Sequence, residues 1–103
     1  MTEELRDSGR EAMIRAKDDF ILQRMMDGYM VVPIGKSAET FHGILQMNET
    51  GAFYWHLIEK GTTQEELVHA AMNRFEGLDE ATASQDISEF LESIAAAVDM
   101  TEE

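Results

Sequence analysis

At 103 residues the chain holds one domain with a single modest core and little room for a deep catalytic cavity. Eight Lys and Arg stand against 21 Asp and Glu, a formal net charge of -13 that repels phosphate backbones and anionic lipid. No Cys is present, which excludes disulfides, thiolate nucleophiles and thiolate metal sites and fits a reducing compartment.

Residues 1–17 read as a polar N-terminal extension. Ser8 and Glu11 stand at capping-box spacing, so Arg10–Lys17 reads either as a short helix or as a frayed tail. Phe20–Met25 and Tyr29–Ile34 read as the strands of a hairpin turned at Asp27-Gly28, because Gly accepts positive φ without a steric cost. Pro33 belongs near a strand end, since it cannot donate to a ladder. Gly35-Lys36-Ser37 turns the chain, and Phe41–Met47 is a third strand with Gly43 inside it.

After Met47 the apolar period changes from two to near 3.6. Asn48 caps a first helix that runs to Glu59 or Lys60, with Phe53, Trp55, Leu57 and Ile58 as its apolar side and Gly61 as its stop. Thr63 and Glu66 start a second helix with a stripe of Leu67, Val68, Ala71, Met72 and Phe75, ended by Gly77. Asp79 caps a third, whose stripe is Ala83, Ile87, Phe90, Leu91, Ile94 and Val98. Glu80, Asp86, Glu89 and Glu92 load its other face with negative charge. Thr101-Glu102-Glu103 reads as tail. The expected class is α+β, three strands followed by three helices, over residues 18–100.

Nothing in the chain assembles an activated nucleophile or an oxyanion site, so no catalytic residue is assigned and no enzyme is expected. His42, His56 and His69 fall on three different elements. Glu65 and His69 lie one helical turn apart, which reads as a surface ion pair before it reads as half a metal site. No glycine-rich phosphate loop occurs, and neither a cofactor nor a metal is expected. Eight Met is a high count for this length; Met30 and Met72 are read as core.

The run Gly43-Ile44-Leu45-Gln46-Met47-Asn48-Glu49-Thr50-Gly51-Ala52-Phe53-Tyr54-Trp55-His56-Leu57 resembles the PqqD family, small peptide chaperones named for pyrroloquinoline quinone biosynthesis. Members typically carry Leu-Asn-Glu-Thr-Gly-Ala-Phe-x-Trp-x-Leu and then Gly-Thr-Thr; here Met47 replaces the first Leu, and Gly61-Thr62-Thr63 follows. Val32-Pro33-Ile34-Gly35 resembles the end of the family's opening hairpin. The resemblance spans roughly residues 18–98 and implies a winged helix-turn-helix fold. It also implies a non-catalytic role: recognising the leader of a ribosomally synthesised precursor peptide and presenting it to a modifying enzyme, often a radical SAM protein.

Such recognition works by strand addition to an exposed sheet edge. The resemblance puts the peptide site on the backbone of Phe41, His42, Gly43, Ile44, Leu45 and Gln46, with Ala83, Asp86, Ile87 and Phe90 as groove walls. The large apolar residues Phe53, Trp55, Leu57, Ile87, Phe90 and Leu91 are claimed first by the core, and Asn48 and Gly51 by the strand-to-helix junction. The acidic face of the third helix favours a peptide that carries Lys or Arg. A nucleic-acid-binding winged helix is the rival class, opposed by the net charge and by a third helix without Lys or Arg. A structural subunit that stabilises a partner enzyme is another. The expected partners are a leader peptide and a radical SAM or other modifying enzyme, with no nucleic acid and no membrane, in a monomer or a strand-exchanged dimer. The acidic start Met1-Thr2-Glu3-Glu4 carries no signal segment, so a cytoplasmic location is expected.

Overall fold

Alternating apolar residues build the central hairpin as the pattern requires. In the computed structural model, which describes residues 12–40 and 43–101, β2 (Phe20–Met25) pairs antiparallel with β3 (Gly28–Pro33). The turn is displaced by one residue from the expected Asp27-Gly28. Met25 pairs with Gly28, so Met26 and Asp27 form the loop and Gly28 opens β3. Gly28 has φ +154°, and a Cβ there would lie 3.1 Å from the Met47 carbonyl oxygen. Pro33 ends β3, where its missing N–H costs no ladder bond.

Beyond the hairpin the chain forms α1 (Lys36–Thr40), a short helix where only a turn was expected. The Ser37 hydroxyl donates to Asp19 Oδ2 at 2.6 Å and ties α1 to the start of the hairpin. That bond is the main cause of an Asp19 carboxyl held below its ordinary range. β4 (Leu45–Met47) then joins the sheet on β3, giving the order β2-β3-β4. It is shorter than the expected Phe41–Met47: Gly43 and Ile44 are not in the strand, and Phe41 and His42 lie outside the described residues.

The helices start at the residues their caps select. α2 (Glu49–Lys60) begins at Asn48, whose side chain accepts from the Gly51 N–H at 2.9 Å, and ends at Gly61 with φ +90°. α3 (Gln64–Arg74) begins at Thr63, which accepts from the Glu66 N–H at 3.1 Å. The Glu66 carboxylate takes its own bond from the buried Thr62 hydroxyl at 3.0 Å. α4 (Glu80–Ser93) begins at Asp79, which accepts from the Thr82 N–H at 2.8 Å.

Both chain ends depart from expectation. Met13–Ala16 is a strand, β1, where a helix or frayed tail was read. α4 stops at Ser93 instead of continuing to Val98; Ala95–Ala97 wind into a 3-10 turn, and β6 (Val98–Thr101) follows. β1 pairs with β6 on one side and with β5 (Thr62–Thr63) on the other, so a second sheet has the order β5-β1-β6. The architecture is therefore α+β with two antiparallel sheets, and the expected order of three strands followed by three helices does not hold.

One core joins these parts. Trp55 and Ile58 of α2, Leu67 and Ala71 of α3, Ala83 and Ile87 of α4, and Val31 of β3 are fully buried in it, together with Ile14 of β1. α3 lies along α4, and α2 lies against β1. Met72, expected in the core, is 37% exposed, and Met30 is half-buried. Among the described residues no helix is long and apolar enough to cross a membrane.

Truncating Ile14 to Ala should cost about 2–5 kcal/mol in urea denaturation if β1 is integral to the core. A loss within the scatter of surface substitutions, about 0.5 kcal/mol, would contradict that packing. The Asp79 carboxyl is held below its ordinary value chiefly by the Thr82 backbone N–H and then by the Thr82 side chain. A lowered folded-state value means the cap stabilises above the ordinary carboxylate pKa and loses its contribution as pH falls through the folded value. Asp79→Ala should therefore be less stable than the parent at neutral pH, with the gap closing in acid; a gap independent of pH would rule out the charged cap.

Candidate functional site

A two-sided groove lies where β4 faces α4. β4 pairs only with β3 among the described residues, so its outer edge carries no strand partner. Leu45 and Met47 turn inward and pack against the core, and Gln46 is exposed. The opposite wall is one stripe of α4: Asp86, Glu89, Phe90 and Ser93, at helical spacings of three, four and seven. Between the walls is a groove of about 630 Å³. No Lys, Arg or His among the described residues lines it, and the charged residues among them are Asp86 and Glu89.

Tyr54 contributes to the floor and is only 4% exposed. Its ring centroid lies 5.4 Å from that of Phe90 and 5.6 Å from that of Phe53. Burial first, and the Asp86 charge second, push its phenol above the ordinary pKa. Gly51 lets the floor close up. A Cβ there would fall 2.8 Å from Met47 Cβ and 3.1 Å from Phe90 Cε1, so β4, α2 and α4 meet at this point because residue 51 has no side chain. Past Asn48 the surface continues as a second depression of about 340 Å³ toward Met25, Gly28 and Tyr29 at the hairpin tip, where Met26 is fully exposed.

The expected site residues separate into three groups. Ile44, Leu45, Gln46, Asp86 and Phe90 come together around the groove. Ala83 and Ile87 do not line it; both are fully buried, because the α4 face they share points into the core. Gly43 is exposed beside the groove, and Phe41 and His42 are outside the described residues. The sequence reading missed Met47, Tyr54, Glu89, Ser93 and Ile94 as lining residues. Helical spacing from Asp86 could have found Glu89 and Ser93. Tyr54 gave no signal, since it sits between Phe53 and Trp55, which were both claimed for the core. No group of three or more His, Asp or Glu among the described residues is placed to hold a metal.

The family described as coenzyme PQQ synthesis protein D (PqqD) matches residues 28–97, from the first residue of β3 to the end of the 3-10 turn. The chain belongs to the PqqD family. The matched segment contains β4, α2 and α4, and with them every wall of the groove. No curated protein sequence matches the chain. A solved structure described as TbiB1 in complex with the TbiA(beta) leader peptide is similar in fold. It is 21% identical, with a TM-score of 0.64 over 80% of this chain and 88% of that one.

The junction at Gly51 of this PqqD-family chain can be tested by substitution. Helix propensity alone favours Ala over Gly by about 1 kcal/mol. The contact with Met47 Cβ opposes it, and overpacking costs about 1–3 kcal/mol. Gly51→Ala should thus lower the thermal midpoint; a raised midpoint would contradict the close approach of β4 to α2.

Proposed function

We propose that the protein is a non-catalytic peptide-binding domain that recognises the leader of a ribosomally synthesised precursor peptide and presents it to a modifying enzyme. The observation that carries this reading is the open edge of β4 beside a groove walled by α4. An edge strand offers unpaired N–H and C=O groups along its length, and an extended peptide completes that ladder. Gln46, with Ile44 just before the strand, turns its N–H and C=O to the edge, Leu45 holds the strand to β3, and Asp86 and Phe90 contact the side chains of the added strand. Acidic walls, with no basic lining residue among those described, favour a leader that carries Lys or Arg.

Two comparisons support this reading. Membership of the PqqD family gives the domain type. The structure that shares its fold is described as a complex with a leader peptide. On this reading the β2–β3 hairpin is the wing and α3–α4 the helix pair of a winged helix-turn-helix. The partner enzyme is a peptide-modifying enzyme of the radical SAM class, and the setting is cytoplasmic.

Gln46→Pro removes the N–H that β4 turns to its open edge, because Leu45 and Met47 already pair with Val31 and Tyr29 of β3. Binding of a fluorescein-labelled leader, followed by anisotropy, should weaken by about tenfold or more, the loss of one or two well-made hydrogen bonds. A variant with native circular dichroism and unchanged affinity would rule out strand addition at β4.

A further inference from the structure

The floor of the groove holds a hydroxyl that no described residue of the chain satisfies. Tyr54 is 4% exposed, and its hydroxyl forms no hydrogen bond with any described residue. No fully enclosed side-chain oxygen or nitrogen among the described residues lacks a partner, so the small exposed part of Tyr54 includes that hydroxyl. Tyr54 lines the groove, its ring lies against Phe90, and the Asp86 charge acts on its phenol, which puts the hydroxyl on the groove side. A buried phenol ordinarily finds a partner within its own fold. This one is left to whatever occupies the groove.

The groups around it define that occupant. Asp86 and Glu89 stand three residues apart on the stripe of α4 that lines the same groove. The rings of Tyr54 and Phe90 are inclined at 54° with centroids 5.4 Å apart, which presents aromatic surface beside the carboxylates. No cation among the described residues lines the groove to neutralise the two acids. Acceptor oxygens of two kinds and an aromatic face suit a planar cation with several donors. Lysine is a compact point charge, whereas a guanidinium forks onto a carboxylate, stacks on a ring and keeps donors for a third oxygen.

We infer that Tyr54, Asp86, Glu89 and Phe90 form a pocket that takes a single arginine side chain of the bound peptide. This rests on the strand-addition reading and narrows its substrate to peptides with Arg at one defined position. Side chains of an added strand alternate between its two faces, so only every second residue can face α4. Arg is then selected at one place in the strand and not merely as overall positive charge.

A random-peptide display library panned on the full-length protein, on Tyr54→Phe and on Asp86→Asn/Glu89→Gln tests this. Tyr54→Phe keeps the ring, and both acids are exposed, so the variants keep the fold. The parent should enrich peptides with Arg at one fixed position by about tenfold over Lys there. The double variant should lose that preference by about tenfold or more, and Tyr54→Phe by a smaller factor of about threefold. Enriched peptides without a fixed Arg, or with a fixed Arg that both variants retain, overturn the arginine pocket and leave strand addition standing. Failure of the parent to enrich any peptide overturns both.

Discussion

The Asn48 side chain accepts the Gly51 N–H at 2.9 Å, and the geometry of the groove depends on that short contact. β4 ends at Met47 and α2 begins at Glu49, so one residue converts strand into helix. The cap fixes the direction in which α2 leaves the sheet. It brings Gly51 against Met47 and Phe90, which sets the distance between the strand edge and α4. A strand of three residues has little hold of its own; it is kept in register by β3 on one side and by this junction at its end. The family pattern around Asn48-Glu49-Thr50-Gly51 therefore encodes a folding device whose product is the groove.

Burial divides α4 between two tasks. Ala83, Ile87 and Leu91 face the core and hold the helix in place. Asp86, Glu89, Phe90 and Ser93 face β4 and give the groove its character. Phe90 belongs to both, half-buried against Tyr54 and Gly51 yet part of the groove wall. Trp55 is fully buried and bonds Glu59 at 2.9 Å, so the most distinctive aromatic of the family pattern supports the fold without reaching the groove. The proposed peptide contacts come instead from less distinctive residues around it.

Local signals carried much of this fold. The caps Asn48, Thr63 and Asp79 and the stop at Gly61 were legible because each acts within one helical turn. The β2–β3 alternation was legible for the same reason, with the turn misplaced by one residue because Asp-Gly resembles a two-residue turn wherever it occurs. The second sheet was not legible. Met13 pairs with Thr101 across nearly the whole chain, and no local pattern in either segment announces the other. Ile94 and Val98 continued the helical spacing of α4, yet Val98 pairs with Ala16 and leaves the helix. α1 spans five residues, too few to show a period. In the site, Ala83 and Ile87 were read as walls because their element was right, but only the rotation of α4 decides which stripe faces β4. Tyr54 was invisible as a lining residue because composition cannot say where a phenol points.

The central claim is that the open edge of β4 receives an extended peptide. Amide hydrogen exchange of the full-length protein, measured by NMR with and without a cognate leader peptide, tests it most directly. New protection should fall on the amides of Gln46 and Ile44, the positions whose N–H faces the open edge, with side-chain shifts at Asp86, Glu89 and Phe90 and little change along β6. Protection that appears on the edge of β6 or β2 while β4 amides exchange as before would contradict the account.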